Sequence, residues 1–307
     1  MNVLEGDRRE MRRIVHGGYP QWVTASEDGT ELVLPGGRRV EEATAIYLPP
    51  CEPTKIICIH LNYDSRRVEF RAPALSEPTY FQKPPTAMNS HRGMLYRPAD
   101  CQFINYEGEI AAIIGAPMTD VAPADVWDYI AGFAPANDVG LHDYRETDQG
   151  GMTRVKGVDG YCPVGPGIVS GIDIRKETLR TYLNGEVVQE DPVANMTFGI
   201  DYMIADLCRH ITLLPGDVIL TGTPANSRPM QLGDVVEVEV TGVGRLSNTV
   251  AEKPAPANKV GHQPHDTDAI RRVALGGDWW AARDAERAAE GAAEGAAASA
   301  QNAEGSN

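Results

Sequence analysis

The chain has 307 residues and carries 43 Asp and Glu against 28 Lys and Arg, which gives a formal net charge of −15. This acid excess, without a basic patch, argues against nucleic acid or an anionic membrane surface as a partner, because both attract concentrated positive charge. The charged amino terminus lacks the apolar run of a secretory signal, and no segment reaches the roughly 18 apolar residues of a membrane span. The five cysteines show no C-x-x-C spacing, so we expect a cytoplasmic protein with reduced thiols.

Up to about residue 50, short apolar runs alternate with glycine-containing turns, a rhythm that predicts a small antiparallel sheet. The apolar run that begins at Lys55 is typical of a strand buried on both faces. A three-to-four spacing of apolar residues predicts one helix over Thr197–Leu213. Further strands are predicted at Glu109–Ile114, Ile130–Ala134, Gly167–Val169, Arg180–Leu183, Asp217–Leu220 and Asp234–Val240. This strand-rich mixture, without regular alternation of strand and helix, indicates an α+β fold.

The composition changes near Lys253, and the sequence predicts three regions: a small N-terminal β domain at 1–52, a main domain at 53–252 and a Pro/Ala/Gly-rich tail at 253–307. The last part of the tail offers few large apolar side chains to offset its ordering entropy, so we expect it to be partly disordered, either mobile or only partly helical. Trp279 and Trp280 are the exception, and we expect them to dock on the protein's own surface or on a sister subunit.

The most informative motif places Glu107 and Glu109 two residues apart, at the start of the strand that runs to Ile114. In a strand the two side chains project from one face, where like charges repel and resist burial. Either a divalent cation removes that repulsion, or the two carboxylates are solvated on an exposed strand edge. Asp138 follows the next apolar run and is either a turn former or a third carboxylate that points back across the sheet. Three carboxylates without a neighbouring His or Cys favour Mg²⁺, Mn²⁺ or Ca²⁺ over Zn²⁺.

Several blocks in a fixed order make the sequence resemble the fumarylacetoacetate hydrolase family, from about Ile14 to Glu252. The matching stretches are Pro53–Tyr63, Tyr80–Pro84, Tyr106–Ala111, Ala136–Val139, Lys156–Pro166, Pro215–Pro224 and Leu232–Gly244. Within the family, the sequence is most similar to the branch that isomerises 2-hydroxyhepta-2,4-diene-1,7-dioate and decarboxylates 5-carboxymethyl-2-oxo-hex-3-ene-1,7-dioate.

The resemblance implies a mixed β-roll or β-sandwich core behind the small N-terminal β domain, and a homodimer. It also implies Mg²⁺ or Mn²⁺ held by Glu107, Glu109 and Asp138. The substrate implied is a 2-oxo acid whose carboxylate and keto oxygens chelate the metal. A chelated keto group is polarised, and an enolate is then stabilised where its charge develops.

The resemblance also implies which side chains hold the substrate. Lys156 matches the lysine that the family places at the keto oxygen. Thr223 matches the threonine that holds the substrate carboxylate, and Gly222 beside it lets backbone amides approach. Lys83, in the block that begins at Tyr80, is a further expected substrate-binding residue.

The chain departs from the family where many members carry a His-Glu pair that orients and deprotonates a water. Glu69 is in register with the glutamate, but Arg66 occupies the histidine position. A guanidinium with a pKa above about 12 is no general base near neutral pH, so the usual hydrolytic route lacks its base. Either Arg66 holds a second carboxylate of a dicarboxylic substrate, or His60 or His91 supplies the base, or catalysis is lost.

A second departure is His142, which stands where relatives commonly place an arginine near the site. An arginine gained at Arg66 and lost at His142 indicates that the cationic group has moved across the pocket, so His142 is a candidate substrate-binding residue. We predict a Mg²⁺- or Mn²⁺-dependent enzyme of aromatic-acid catabolism that isomerises or decarboxylates a 2-oxo or 2-hydroxydienoate dicarboxylate. The alternatives are an acylpyruvate- or fumarylacetoacetate-type C–C hydrolase with a relocated base, and a non-catalytic oxoacid-binding protein.

Overall fold

The computed structural model describes residues 2–148 and 150–304, and it confirms the strand-rich α+β fold that the sequence predicts. The strands are β1 (Arg9–His16), β2 (Tyr19–Ala25), β3 (Glu31–Val33), β4 (Arg39–Glu41), β5 (Ile46–Tyr47), β6 (Ile56–Ile59), β7 (Tyr80–Lys83), β8 (Met88–Asn89), β9 (Met94–Pro98), β10 (Ile104–Asn105), β11 (Gly108–Ile114), β12 (Ile130–Asn137), β13 (Gly140–Leu141), β14 (Cys162–Pro163), β15 (Gly167–Ser170), β16 (Thr178–Leu183), β17 (Glu186–Pro192), β18 (Val218–Leu220), β19 (Val235–Val240) and β20 (Gly244–Lys253). The helices are α1 (Asp64–Glu69), α2 (Arg145–Asp148), α3 (Thr153–Lys156), α4 (Ile200–Cys208), α5 (Asp268–Leu275) and α6 (Gly277–Glu304).

The main sheet has the strand order β4-β3-β2-β1-β15-β12-β11-β18-β6-β7, and β5 pairs with β1. A second sheet has the order β17-β16-β19-β20-β9. Apolar side chains from both sheets pack in one cluster, among them Ile110 of β11, Phe133 of β12, Leu179 of β16 and Val238 of β19. The two sheets therefore form a sandwich, and β11, whose residues are all buried, lies at its centre.

The N-terminal strands form the small antiparallel sheet that the turn rhythm predicts. They enclose a core of their own, which includes Ile14, Val23 and Leu32. Strand β1 also pairs antiparallel with β15, so these strands extend the main sheet at one side. The division of the chain at residues 52 and 252 stays a prediction.

Each strand predicted after residue 52 overlaps an observed strand, and β12 continues past its predicted end to Asn137. The helix predicted over Thr197–Leu213 is shorter, because Gly199 caps it and Leu213 leaves it to form an antiparallel bridge with Met118. Glu107 lies just before β11 rather than inside it.

Within the predicted tail, Gly277–Glu304 is one helix, and the partial disorder expected for 253–307 stays a prediction. Alanine and glutamate have high helix propensity, which offsets the shortage of apolar side chains. Residues 305–307 lie outside the described residues. As expected, Trp280 docks on the protein's own surface, with its ring under the Arg71 guanidinium.

All five cysteines are buried and unpaired, as the reduced-thiol prediction requires. Within residues 2–148 and 150–304, no helix is long and apolar enough to cross a membrane.

Asp217 joins two strands of the main sheet that run in parallel, β18 and β6. Its buried carboxylate accepts hydrogen bonds from the Thr54 backbone and hydroxyl, from the Lys55 ammonium and backbone, and from the Leu214 backbone. Burial raises the pKa of Asp217, but the hydrogen bonds from Lys55 and Thr54 outweigh it and lower the pKa below its ordinary value. The ionised carboxylate therefore stabilises the fold.

We expect Asp217→Asn to lower the free energy of unfolding by about 2–4 kcal/mol at pH 7, because the amide cannot accept all of these donors. A carboxylate whose pKa is lowered on folding stabilises the protein above its unfolded pKa of about 4 and loses that effect as the pH falls. The difference between variant and wild type should therefore shrink below about pH 4. Urea unfolding at several pH values measures it, with the exposed Asp125→Asn as control. Equal stability of Asp217→Asn and wild type at pH 7 would contradict this role.

Candidate active site with a three-carboxylate cluster

Three carboxylates converge where β11 begins and β12 ends. Glu109 on β11 lies opposite Ala136 of β12, and the Asp138 backbone N–H donates to the Glu107 carbonyl at 2.8 Å. One carboxylate oxygen from each of Glu107, Glu109 and Asp138 lies within 4.8 Å of the others. The structure thus brings together the residues that sequence spacing alone left apart, and places them inside the protein rather than on an exposed edge.

Glu109 has the least favourable surroundings in this cluster. Its carboxylate is 1% exposed and accepts a hydrogen bond from the Gly222 backbone N–H at 2.8 Å. Burial and the neighbouring carboxylates of Asp138 and Glu107 raise the pKa of Glu109 well above its ordinary value. A buried carboxylate beside two others is stabilised when a cation joins it. Three hard oxygen donors at this spacing are able to bind a divalent metal ion.

Two lysines already balance part of the negative charge from the protein side. The Lys83 ammonium donates to Asp138 Oδ1 at 2.5 Å, and the Lys156 ammonium donates to Asp138 Oδ2 at 2.8 Å and to Glu107 Oε2 at 2.6 Å. Burial alone would lower the pKa of Lys156, but the carboxylates of Asp138 and Glu107 raise it above its ordinary value. Lys156 is therefore a fixed cation.

A small cavity opens onto this cluster. Its charged lining comprises Glu107, Glu109, Arg66, Arg145 and Lys156. Its other lining residues include the predicted residues His60, His142 and Thr223, together with Phe70, Phe81 and Val273. This mixture of charged and apolar walls suits a small organic anion.

Arg66 and Glu69 are paired on the short helix α1. Arg66 Nη1 donates to Glu69 Oε2 at 2.7 Å, its Nη2 lies 3.5 Å from Glu107 Oε1, and its guanidinium stacks on Phe70. Glu69 also accepts from Arg228 at 2.7 Å and from the Asn226 and Gly277 backbone N–H groups, both at 3.1 Å. Burial raises the pKa of Glu69, but these partners lower it overall. The Glu69 carboxylate is therefore ionised, and both of its oxygens already accept hydrogen bonds from protein groups.

The two histidines on the cavity wall differ in their contacts. The His60 ring packs on Phe81 with ring centres 4.7 Å apart, and its Nδ1 lies 3.3 Å from the Thr79 hydroxyl. His142 is fully buried, and neither of its ring nitrogens has a hydrogen-bond partner in the described structure. Burial, followed by the nearby Arg145, lowers the pKa of both rings. Both are therefore neutral imidazoles near pH 7.

The remaining predicted residues take different places. Thr223 lines the cavity and its hydroxyl accepts from Gln189 at 3.0 Å. The Gly222 backbone N–H donates to the Glu109 carboxylate. Its φ of +91° is a backbone conformation that favours glycine, and a Cβ at this position would also lie only 2.7 Å from Asn62 Cβ. Lys83 lies behind Asp138 rather than on the cavity wall. His91 lies elsewhere, with its ring beside Tyr47 and its Nδ1 accepting from the Ser247 backbone.

Arg145 and Val273 are among the cavity-wall residues that sequence reasoning missed. Arg145 follows His142, which occupies the position of the family arginine, by three residues. Its guanidinium lines the same cavity as His142. The spacing of three residues was the available signal. Val273 comes from α5, in the region predicted to be tail, and no local pattern links it to the site.

The fold and the buried three-carboxylate cluster define a class of enzymes able to bind a divalent cation at the edge of a β-sandwich. Residues 55–251 match the family model described as the fumarylacetoacetate hydrolase C-terminal domain. The chain belongs to the fumarylacetoacetate hydrolase family and is an enzyme of the isomerase, decarboxylase or hydrolase kind found in it.

Similar proteins include members of the isomerase and decarboxylase branch, which confirms the predicted resemblance. The chain is 36% identical over 198 residues to the 4-hydroxyphenylacetate degradation bifunctional isomerase/decarboxylase of Salmonella dublin; the match covers 64% of this chain and 46% of that protein. The solved 5-carboxymethyl-2-hydroxymuconate delta-isomerase of Mycobacterium smegmatis is 34% identical with a TM-score of 0.73, over 80% of this chain and 99% of that one. The 2-hydroxyhepta-2,4-diene-1,7-dioate isomerase of Mycobacterium marinum is 33% identical with a TM-score of 0.72, over 80% and 98%.

We expect Glu109→Gln to abolish stabilisation of the protein by Mn²⁺. The substitution replaces a negatively charged carboxylate of the cluster with a neutral amide of nearly the same size. Without metal, the variant should be no less stable than wild type, since the buried carboxylate repels its neighbours. Thermal unfolding with and without Mn²⁺ tests this; a ligand at 100 times its Kd stabilises by about 2.7 kcal/mol. The control is Glu237→Gln, a half-buried glutamate on β19 paired with Arg245. An unchanged Mn²⁺ effect in Glu109→Gln would contradict the assignment.

Proposed function

We propose that this enzyme uses Mg²⁺ or Mn²⁺ to isomerise or decarboxylate a 2-oxo or 2-hydroxydienoate dicarboxylic acid in aromatic-acid catabolism. The metal ligands in this proposal are Glu107, Glu109 and Asp138. The observation that carries it is Arg66, a buried guanidinium on the cavity wall beside Glu107.

Arg66 and its partners disfavour the hydrolytic reaction of the family. A guanidinium does not accept a proton from water near neutral pH. Glu69, the other member of the family pair, is occupied by Arg66, Arg228 and two backbone donors. The pair therefore has no free acceptor for a water, and a reaction that needs only proton shifts or loss of CO₂ fits the site better.

The charges on the cavity wall support a dianionic substrate. Arg66, Arg145 and Lys156 line the cavity against the carboxylates of Glu107 and Glu109. A divalent cation on the carboxylate cluster would make the wall strongly positive. Planar guanidinium groups bind carboxylates through two parallel hydrogen bonds, so Arg66 is suited to the distal carboxylate of a diacid.

The metal, when bound, would act as a Lewis acid that polarises the 2-oxo group. Lys156 remains protonated because its pKa is raised, and it is suited to stabilise negative charge that develops on the substrate oxygen. Thr223 lies on the cavity wall with its hydroxyl held by Gln189, so it can orient the carboxylate next to the oxo group. Lys83 acts from behind the wall, where it holds Asp138 in place.

His60 is the best placed group for moving a proton. Its ring lines the cavity and is neutral near pH 7, as a general base requires. The unpartnered ring nitrogens of His142 are suited to hydrogen-bond the substrate. The same placement of His60 supports the second candidate function, hydrolysis of an acylpyruvate-type C–C bond with His60 as the relocated base.

A homodimer in the cytoplasm is also part of this proposal. The dimer is supported by exposed apolar side chains on the first two strands, where Met11 is 39% and Trp22 41% exposed. Both lie on the same groove together with Ile168 of β15. Apolar surface of this kind is commonly covered by a second subunit.

Incubation of the metal-loaded protein with candidate substrates tests the proposed function. The panel comprises 2-hydroxymuconate-type dienoate diacids, oxaloacetate and acylpyruvates. We expect loss or shift of the enol absorbance, or release of CO₂, with the diacids, and little cleavage of acylpyruvates. Cleavage of acylpyruvates in preference to diacids would support the hydrolase instead. Intact metal binding without turnover of any of these compounds would refute both.

We expect Arg66→Gln to lower kcat/KM for the diacid by about 100-fold, because a charge-assisted pair contributes roughly 2–3 kcal/mol. Activity on substrates with a single carboxylate should change much less. The matched control is the neighbouring Arg67→Gln, since Arg67 pairs with Asp64 and the Ala72 carbonyl. An equal loss on substrates with one and with two carboxylates would contradict the role of Arg66 in binding the distal carboxylate.

A further inference from the structure

The segment after the family match is built into the body of the protein. The family match ends at residue 251, and α5 begins at Asp268. Ile270 and Ala274 of α5 are fully buried and pack on Phe103. The Asn105 side-chain amide, also fully buried, donates to the Ala274 carbonyl at 2.8 Å. A buried polar contact of this kind holds α5 in one position on the body.

The turn between α5 and α6 rests directly on the Glu69 carboxylate. The Gly277 backbone N–H donates to Glu69 Oε1 at 3.1 Å. Gly276 has a φ of +52°, and a Cβ there would lie 2.5 Å from the same oxygen. Both the backbone conformation and the space require glycine at this position. The turn thus touches the group that pairs with Arg66 on the cavity wall.

Further anchors follow at the start of α6. Asp278 pairs with Arg228, which also pairs with Glu69. Arg71 pairs with Asp284 and stacks on the Trp280 ring at 4.3 Å. We call residues 268–284, which contain these contacts, the C-terminal strap. The contacts on both sides of the Gly276–Gly277 turn hold the C-terminal strap against α1, the helix that carries Arg66 of the cavity wall.

One side chain of the strap reaches the cavity itself. Val273, half-buried on α5, lines it together with Phe70 and the charged groups of the site. These two side chains are apolar, whereas the wall around the carboxylate cluster is charged. A wall that is polar at one part and apolar at another suits a substrate with a chelating head group and a carbon chain.

We propose that the C-terminal strap is a wall of the substrate cavity and that Val273 determines the length of carbon chain the cavity accepts. This inference rests on the proposed function, because the ligand class is the 2-oxo diacid of that proposal. Bulk added at Val273 takes space from the carbon chain and leaves the head group unaffected. The strap also positions Arg66 through the contacts of Gly277 and Arg228 with Glu69.

Binding of saturated 2-oxo diacids with five, six and seven carbons tests the inference by calorimetry on the full-length, Mn²⁺-loaded protein. We expect Val273→Phe to weaken binding of the seven-carbon diacid at least about 10-fold relative to the five-carbon one, and Val273→Ala to shift the preference toward the longer acid. The control is Val260→Phe, since Val260 is 83% exposed in the same C-terminal region. Thermal unfolding of each variant confirms that it is folded.

The outcomes separate this inference from the proposed function. If wild type binds the diacids and neither Val273 variant changes the length preference, the strap does not determine specificity and the inference is overturned. If wild type binds none of the diacids although Mn²⁺ stabilises it, the proposed function is refuted. The inference about the strap is then refuted as well, because it depends on the same substrate class. Should Val273→Phe fail to fold, Val273→Ala alone decides, because removal of two methyl groups leaves the helix intact.

Discussion

The structure depends on the burial of three carboxylates at one edge of a sheet. Like charges at this distance repel strongly away from water, so each must be balanced by a neighbour. Lys156 and Lys83 bind Asp138, Arg66 approaches Glu107, and Glu109 is left with one backbone N–H among its close contacts. The raised pKa of Glu109 expresses the remaining imbalance, which a divalent cation would remove.

The register of β11 and β12 creates this cluster, and the loops around the sheet adapt the site to its chemistry. Antiparallel pairing places the start of one strand beside the end of the other, so Glu107, Glu109 and Asp138 meet without any long-range adjustment. Arg66, on the helix after β6, then replaces a proton acceptor with a fixed cation. In the proposed function, the same scaffold therefore favours binding of an anion over activation of water.

The sequence predicted the strands and the carboxylate pair because both follow from local rules. Alternation and apolar runs indicate strands, and a two-residue spacing puts Glu107 and Glu109 on one side. Its error in the length of the helix after Gly199 has a long-range cause, because Leu213 bridges to Met118, 95 residues earlier in the chain. Nothing local could show that Lys83 lies behind Asp138, because that contact spans 55 residues of chain.

The sequence by itself determined the family, the strand-rich fold class and the types of residue at the site, since these depend on motifs and periodicity. Only the tertiary structure decided that Glu69 is occupied by donors from Arg228 and Gly277, and that Val273 reaches the cavity. Both results depend on where α5 and α6 pack. Packing is decided by the summed burial and hydrogen bonding of residues far apart in the chain, and no short stretch of sequence contains that information.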